Sequence, residues 1–408
     1  MVNRLDSARL LIYSHDTFGL GHLRRCRTIA HWLVEQYKGL SVLILSGSPI
    51  IGSFDFRARV DFVKIPGIIK LYNGEYTPLG RHLDLKETLS IRASIIRHTA
   101  EAFNPDLFLV DKEPLGLKGE VRDTLSMLKA NGTSLVIGLR DVMDEPSVLR
   151  AEWDKRSVMP VLEKIYDEIW VYGLPQVHDP LSELDVPQAV RDKMIFTGYL
   201  PRTAPNWPSL SPAVEMEEPY LLVTAGGGGD GVAMMDWVLS AYEIEPDLPW
   251  SAVLVLGPFM PSAEQEELQE RTARLDNVQA ITFDSHLELL MEKCAGMVAM
   301  GGYNTFCEIL SFDKPAVIVP RTQPRREQLI RAERAQDLGL ARMLNGDVER
   351  DPAVMAEALR ALPDQPRPST VVMPGLLDGL NTVSGLLQRH VERRRGTAPI
   401  TLRERASS

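Results

Sequence analysis

A chain of 408 residues is too long for one ordinary hydrophobic core and about right for two domains. Its 44% apolar and 25% charged residues are the proportions of a soluble globular protein, and its net charge of -10 argues against nucleic acid as a partner, since phosphates would repel it. No apolar run is long enough to cross a bilayer, and three cysteines without a Cys-x-x-Cys pair (Cys26, Cys294, Cys307) argue for a reduced compartment and against a zinc site.

The opening MVNRLDSARLLIYSHD has an acidic residue and no signal-peptide core, so it reads as the first strand of a cytoplasmic protein. Short β-rich runs then alternate with longer helical patterns, which predicts parallel sheets covered by helices. Strands are expected at 9–14, 41–46, 60–65, 107–111, 134–139, 168–172 and 194–197, with amphipathic helices at 23–37 and 87–103 between some of them. Residues 68–83, IIKLYNGEYTPLGRHL, read as a loop whose tyrosines and arginine either hold a ligand or pack simply as the loop's own core. After PRTAPNWPSLSPAVEMEEP, rich in proline and poor in periodicity, strands restart at 220–224, 252–256, 278–282, 297–300 and 316–319. The chain therefore divides into a Rossmann-like domain over 1–200, a linker over 201–218, a second domain over 219–372, a late helical segment over 373–395 and a basic tail over 396–408. The tail offers a weak peripheral contact to an anionic membrane, although a solvated end is its simpler reading. Ligands of open α/β sheets bind beyond the carboxyl ends of the strands, so a cleft site is expected between the domains.

Several strands run into residues that carry chemistry. In SHDTFGLGHLRRCR, Gly19 and Gly21 form a loop and His22 stands at the mouth of a helix, whose positive end disfavours the imidazolium. A neutral imidazole is what a general base needs at neutral pH; the plain alternative is a structural or capping histidine. Asp111-Lys112-Glu113-Pro114 and Arg140-Asp141 each follow a strand. Asp111 or Asp141 is thus an alternative base, a group that orients His22, or a loop cap. In the second domain Gly226, Gly227, Gly228 and Gly229 lie between a strand and a helix, where backbone amides can cradle a diphosphate; no Gly-Lys-Ser/Thr follows, so this is not a P-loop. Further on, Gly301 and Gly302 allow a tight turn into a helix with Glu308 on it, placed to accept two hydrogen bonds from a ribose diol. The plain alternative there is a capping box, since Thr305-Phe306-Cys307-Glu308 has the Thr-x-x-Glu form.

The whole stretch over 296–328, GMVAMGGYNTFCEILSFDKPAVIVPRTQPRREQ, resembles the donor-binding signature of the family 28 glycosyltransferases. That resemblance implies an α/β chain of GT-B fold, two Rossmann-like domains facing a central cleft, with a helix over 376–393 crossing back to the first domain. It implies that Glu308 holds the donor ribose, and that Glu327 and Gln328 hold the sugar hydroxyls. Gly301, Gly302, Asn304 and Thr305 would surround the phosphates, and the segment with Phe283, Asp284 and His286 would lie against the base. The pattern Gly19-x-Gly21-His22-x-x-Arg25 resembles GT-B proteins including the UDP-sugar hydrolase of pseudaminic acid biosynthesis, whereas family 28 more often has Gly-Gly-x-Gly-Gly-His. Retaining GT-B enzymes usually carry Glu-x7-Glu, and the residue eight before Glu308 is Met300, which implies inversion. No Asp-x-Asp occurs, so a metal-bridged diphosphate has no support. The implied activity is metal-independent, cofactor-free transfer from a nucleotide-diphosphate sugar, expected to be UDP-linked, to a glycan or small-molecule acceptor. A nucleotide-sugar hydrolase and a non-catalytic sugar-nucleotide-binding regulator are the alternatives.

Overall fold

The computed structural model describes residues 3–5, 7–15, 21–70, 75–80, 82–204 and 218–396. Gly19, most of the expected linker and nearly all of the basic tail lie outside the described residues.

Seven parallel strands form the first sheet: β1 (Arg9–Ser14), β2 (Ser41–Ser46), β3 (Val60–Lys64), β4 (Leu107–Asp111), β5 (Ser134–Arg140), β6 (Glu168–Tyr172) and β7 (Met194–Phe196), in spatial order β7-β6-β5-β4-β1-β2-β3. Six form the second: β8 (Tyr220–Thr224), β9 (Ser251–Val255), β10 (Val278–Ile281), β11 (Gly296–Ala299), β12 (Ala316–Ile318) and β13 (Arg342–Met343), in order β10-β9-β8-β11-β12-β13. Strands such as LFLVD of β4 and YLLVT of β8 are buried throughout, the pattern of parallel strands covered on both faces. Each sheet reverses its strand order once, beside β1 and β4 in the first and β8 and β11 in the second. Such switch points open a crevice for a ligand.

The loop expected over 68–83 contains a short antiparallel hairpin instead, pairing Ile68–Lys70 with Tyr76–Pro78. Ile68 is buried, and Leu79 N donates to Gly67 O at 2.9 Å, so the segment is tied to the domain at its base. Hairpin strands of three residues are too short to show a period of two.

Helix α1 (Gly21–Gln36) follows β1, and α2 (Leu85–Phe103) opens with a full capping box between Asp84 and Glu87. In the second half, α3 (Val232–Ile244) follows the glycine run, α4 (Leu287–Lys293) follows β10, α5 (Tyr303–Ser311) follows β11 and α6 (Glu327–Asp337) follows β12. The last helix, α7 (Gly379–Arg394), packs on the first domain. Tyr37 Oη donates to Ser384 O at 2.9 Å, and Arg394 pairs with Asp106 at 3.7 Å. Apolar burial is continuous across the halves: one cluster runs from Ile12 and Ile29 through Tyr303 and Phe306 to Leu380, Val383 and Leu387. No helix among the described residues is long and apolar enough to cross a membrane.

Candidate active site

His22 is the second residue of α1, and Asp111 is the last of β4, so the two meet across the switch point of the first sheet. His22 Nδ1 lies 2.5 Å from Asp111 Oδ2. Arg25, one turn along α1, clamps the same carboxylate, Nε to Oδ1 at 2.8 Å and Nη2 to Oδ2 at 2.6 Å. Burial would push the Asp111 carboxyl up, but Arg25 and His22 together hold it well below the usual carboxylate range. An anionic Asp111 fixes the proton of a neutral His22 on Nδ1 and leaves the Nε2 lone pair free for another partner. Burial lowers the imidazole to about 4, with Asp111 pulling the other way. The sequence points to the helix end as the cause; in the structure the largest cause is burial.

Asp141 is placed differently. Its carboxylate is fully buried and bidentate with Arg331 of α6, at 2.6 and 2.8 Å, and accepts a further bond from Tyr199 Oη at 2.8 Å. The geometry makes Asp141 part of a clasp between the two domains, with no free face for taking a proton from a substrate. Arg331 also donates to Gly301 O at 3.0 Å, which ties the clasp to the turn before α5.

The cleft lined by His22 also takes in the glycine loop ahead of α3 and the first turn of α5. Neither helix has a side-chain cap, so the N–H groups of their first turns are left for an anion. Gly226, Gly227 and Gly302 line the cleft beside them. Gly228 and Gly301 shape the turns: both have positive φ, and a Cβ would lie 2.3 Å from Leu256 O at Gly228 and 2.6 Å from an Ile318 methyl at Gly301. Asn304 and Thr305 line the cleft within the first turn of α5. Asn304 also donates to Gly21 O at 3.0 Å and accepts from Arg202 at 2.9 Å, so it fixes the start of α1 that carries His22.

Because α5 begins at Tyr303, Thr305 and Glu308 both lie inside the helix, and the capping-box alternative for Glu308 fails. Glu308 is fully buried and accepts from Arg24 Nη2 at 2.5 Å through Oε1, while Oε2 has no partner among the described residues. Burial raises its pKa, and Arg24 opposes the rise. Arg24 also reaches Glu288 of α4 at 2.9 Å. Glu327 and Gln328 open α6 and face the cleft; Arg321 donates to Glu327 Oε1 at 2.6 Å and its own N–H to Gln328 Oε1 at 3.1 Å. Phe283 and Asp284 line the cleft as well. His286 does not. It precedes α4 and turns into a neighbouring hollow with His31 and Trp32, 3.6 Å from Asp55.

The second half of this architecture has known counterparts. The model of the glycosyltransferase family 28 C-terminal domain matches residues 243–369. An uncharacterized glycosyltransferase of Methanosarcina acetivorans is 22% identical, over 91% of this chain and 96% of its own length. The glycosyltransferase VinC, solved in complex with dTDP, aligns with a TM-score of 0.60 at 18% identity, covering 94% of this chain and 100% of that one. MurG of Acinetobacter baumannii aligns with a TM-score of 0.56 at 14% identity, covering 93% and 99%. The chain has the GT-B fold and resembles the family 28 glycosyltransferases. The matches make it an enzyme of the glycosyltransferase class; the two solved structures bear on its fold.

Five arginines of this glycosyltransferase-class chain line the cleft, Arg24, Arg25, Arg27, Arg140 and Arg321, and of these the sequence singled out Arg25 and Arg140. Arg24 precedes Arg25 in His-Leu-Arg-Arg, a hint of a cationic helix start. Its partners Glu288 and Glu308 are more than 260 residues away, and no local pattern reveals them. His15 is buried with Nδ1 unpartnered among the described residues, and its ring stands edge-on to His22 at 5.8 Å.

Proposed function

We propose that this glycosyltransferase uses a nucleotide-diphosphate sugar, UDP-linked, and transfers the sugar with inversion and without a metal. The observation that carries this reading is the Asp111-oriented imidazole of His22 in one cleft with the glycine loop ahead of α3 and the uncapped opening of α5. In this reading the diphosphate lies against the α3 and α5 openings, the ribose meets Glu308, and the sugar hydroxyls meet Glu327 and Gln328. The acceptor hydroxyl gives its proton to His22 Nε2 while its oxygen attacks the anomeric carbon from the face opposite the diphosphate. The carbon–oxygen bond to the leaving group breaks, and the growing phosphate charge is met by backbone N–H groups already pointing at it.

Pure protein incubated with radiolabelled UDP-sugars tests the reading. Transfer only when an acceptor-containing extract is added supports it. Release of free sugar without acceptor instead supports the hydrolase, in which water takes the acceptor's place at His22. Binding without turnover supports the regulator. Activity should persist in EDTA, because the phosphate charge is assigned to helix ends. Complete loss on chelation, restored by magnesium or manganese, would overturn the metal-independent mechanism.

The ribose assignment has its own test. Glu308→Gln should weaken UDP binding roughly 10- to 150-fold, the worth of about 1.5–3 kcal/mol for hydrogen bonds to a charged acceptor. Isothermal titration with UDP beside a melting curve separates this from a stability effect. Unchanged UDP affinity would sink it.

A further inference from the structure

Two cations on neighbouring strand ends of the first domain have hydrogen-bonding capacity that is largely unspent. Arg140 ends β5, half-buried, and lines the cleft. Among the described residues its guanidinium makes a single long bond, Nη2 to Met143 O at 3.5 Å, and its buried Nε has no partner. Lys112 follows Asp111 on the neighbouring strand end, with its side chain 16% exposed. Its closest ionic contact is Glu113 at 3.8 Å, and Glu113 is already held at 2.6 Å by Arg156.

Two of the carboxylates around this pair are engaged elsewhere, Asp111 with His22 and Arg25 and Asp144 with Arg325 at 2.7 Å; Glu327 is bonded by Arg321 through Oε1 and faces Arg140 only through space. Burial and the neighbouring Arg140 bring the Lys112 ammonium down to about 8, and burial brings Arg140 down to about 10. Few of the hydrogen bonds that these two cations can donate are therefore made within the chain. The backbone adds an independent sign. Lys112 has φ of 67°, a left-handed conformation that costs a non-glycine residue about 1 kcal/mol or more, and glycine or asparagine would take it more readily. A long cationic side chain thus stands at a strained position directly after the residue that orients His22.

We infer that Lys112 and Arg140 form an anion subsite beside His22, which selects acceptors carrying a carboxylate or phosphate near the hydroxyl that is glycosylated. This rests on the nucleotide-sugar reading above and extends it to the acceptor. Guanidinium and ammonium donors on adjacent strand ends would hold such a group by charge-assisted bonds and set the acceptor oxygen toward His22.

Isothermal titration tests it with UDP first, then with glucuronic acid, glucose 6-phosphate and glucose in saturating UDP. Both charged sugars should bind the UDP complex about tenfold or more tightly than glucose. Arg140→Gln and Lys112→Asn should each remove most of that preference while leaving UDP affinity within about twofold. Asparagine tolerates the left-handed backbone, and Lys112→Gly serves as a second variant if the first melts early. No UDP binding at all would remove the nucleotide-sugar reading itself. Normal UDP binding with equal affinity for charged and neutral sugars would overturn the anion subsite alone, as would variants that weaken UDP. UDP-glucuronate bound far more tightly than UDP-glucose, with that preference lost in both variants, would move the anion to the donor sugar and overturn the acceptor assignment.

Discussion

His22→Gln should lower kcat by roughly 10²- to 10⁴-fold and leave donor binding nearly unchanged, because an oriented base acts on the transition state and not on the bound donor. Asp111→Asn should fall in the same range, since the amide cannot hold the same tautomer or stabilise the imidazolium that forms. The pH profile gives the sharper signature. The base must be neutral to act, and burial pulls the His22 pKa below the ordinary histidine value, toward 4. The acidic limb of kcat/KM should therefore lie well below pH 6.5 in the native enzyme and vanish in His22→Gln. A merely structural His22 would give lower stability, weaker donor binding and an unaltered pH profile. Nearly full activity in His22→Gln would end the base assignment.

Asp141→Ala should cost about 3–5 kcal/mol of stability, because it strands the fully buried Arg331 charge without its partner. Adding Arg331→Met should recover part of that loss, since no lone charge then remains buried. Denaturant unfolding of the two single variants and the double variant closes the cycle. UDP affinity should fall in Asp141→Ala as well, through the Arg331 bond to Gly301 O that steadies the α5 turn. A large drop in kcat with native stability and native UDP affinity would return Asp141 to the list of bases.

Most of the architecture was legible because parallel strands buried on both faces read as unbroken apolar runs. LFLVD and YLLVT announce themselves without help from their partners. Arg342–Met343 and the Ile68–Lys70 hairpin did not, since two or three residues carry no period and form strands only through what they pair with. The candidate site divides in the same way. Gly301, Gly302 and Glu308 sit within one turn–helix unit, so their spacing could be read directly. The roles of Asp141 and Arg24 depend on domain docking across 190 and 284 residues of sequence, and nothing local distinguishes a carboxylate aimed at a substrate from one closed by an arginine. His286 shows the converse: Phe283 and Asp284 face the cleft, and two residues further on the side chain turns into another hollow.

The crossing of α7 bears on how such enzymes can be recombined. Tyr37, Glu168 and Asp106 on the first domain all hold α7 residues, Ser384, His390 and Arg394, that the chain supplies only after the second domain is complete. A chimaera spliced once, between the halves, would seat a foreign C-terminal helix on a surface shaped for another. The exchangeable module is discontinuous: a first domain travels with its own last helix, and a functional hybrid needs two junctions.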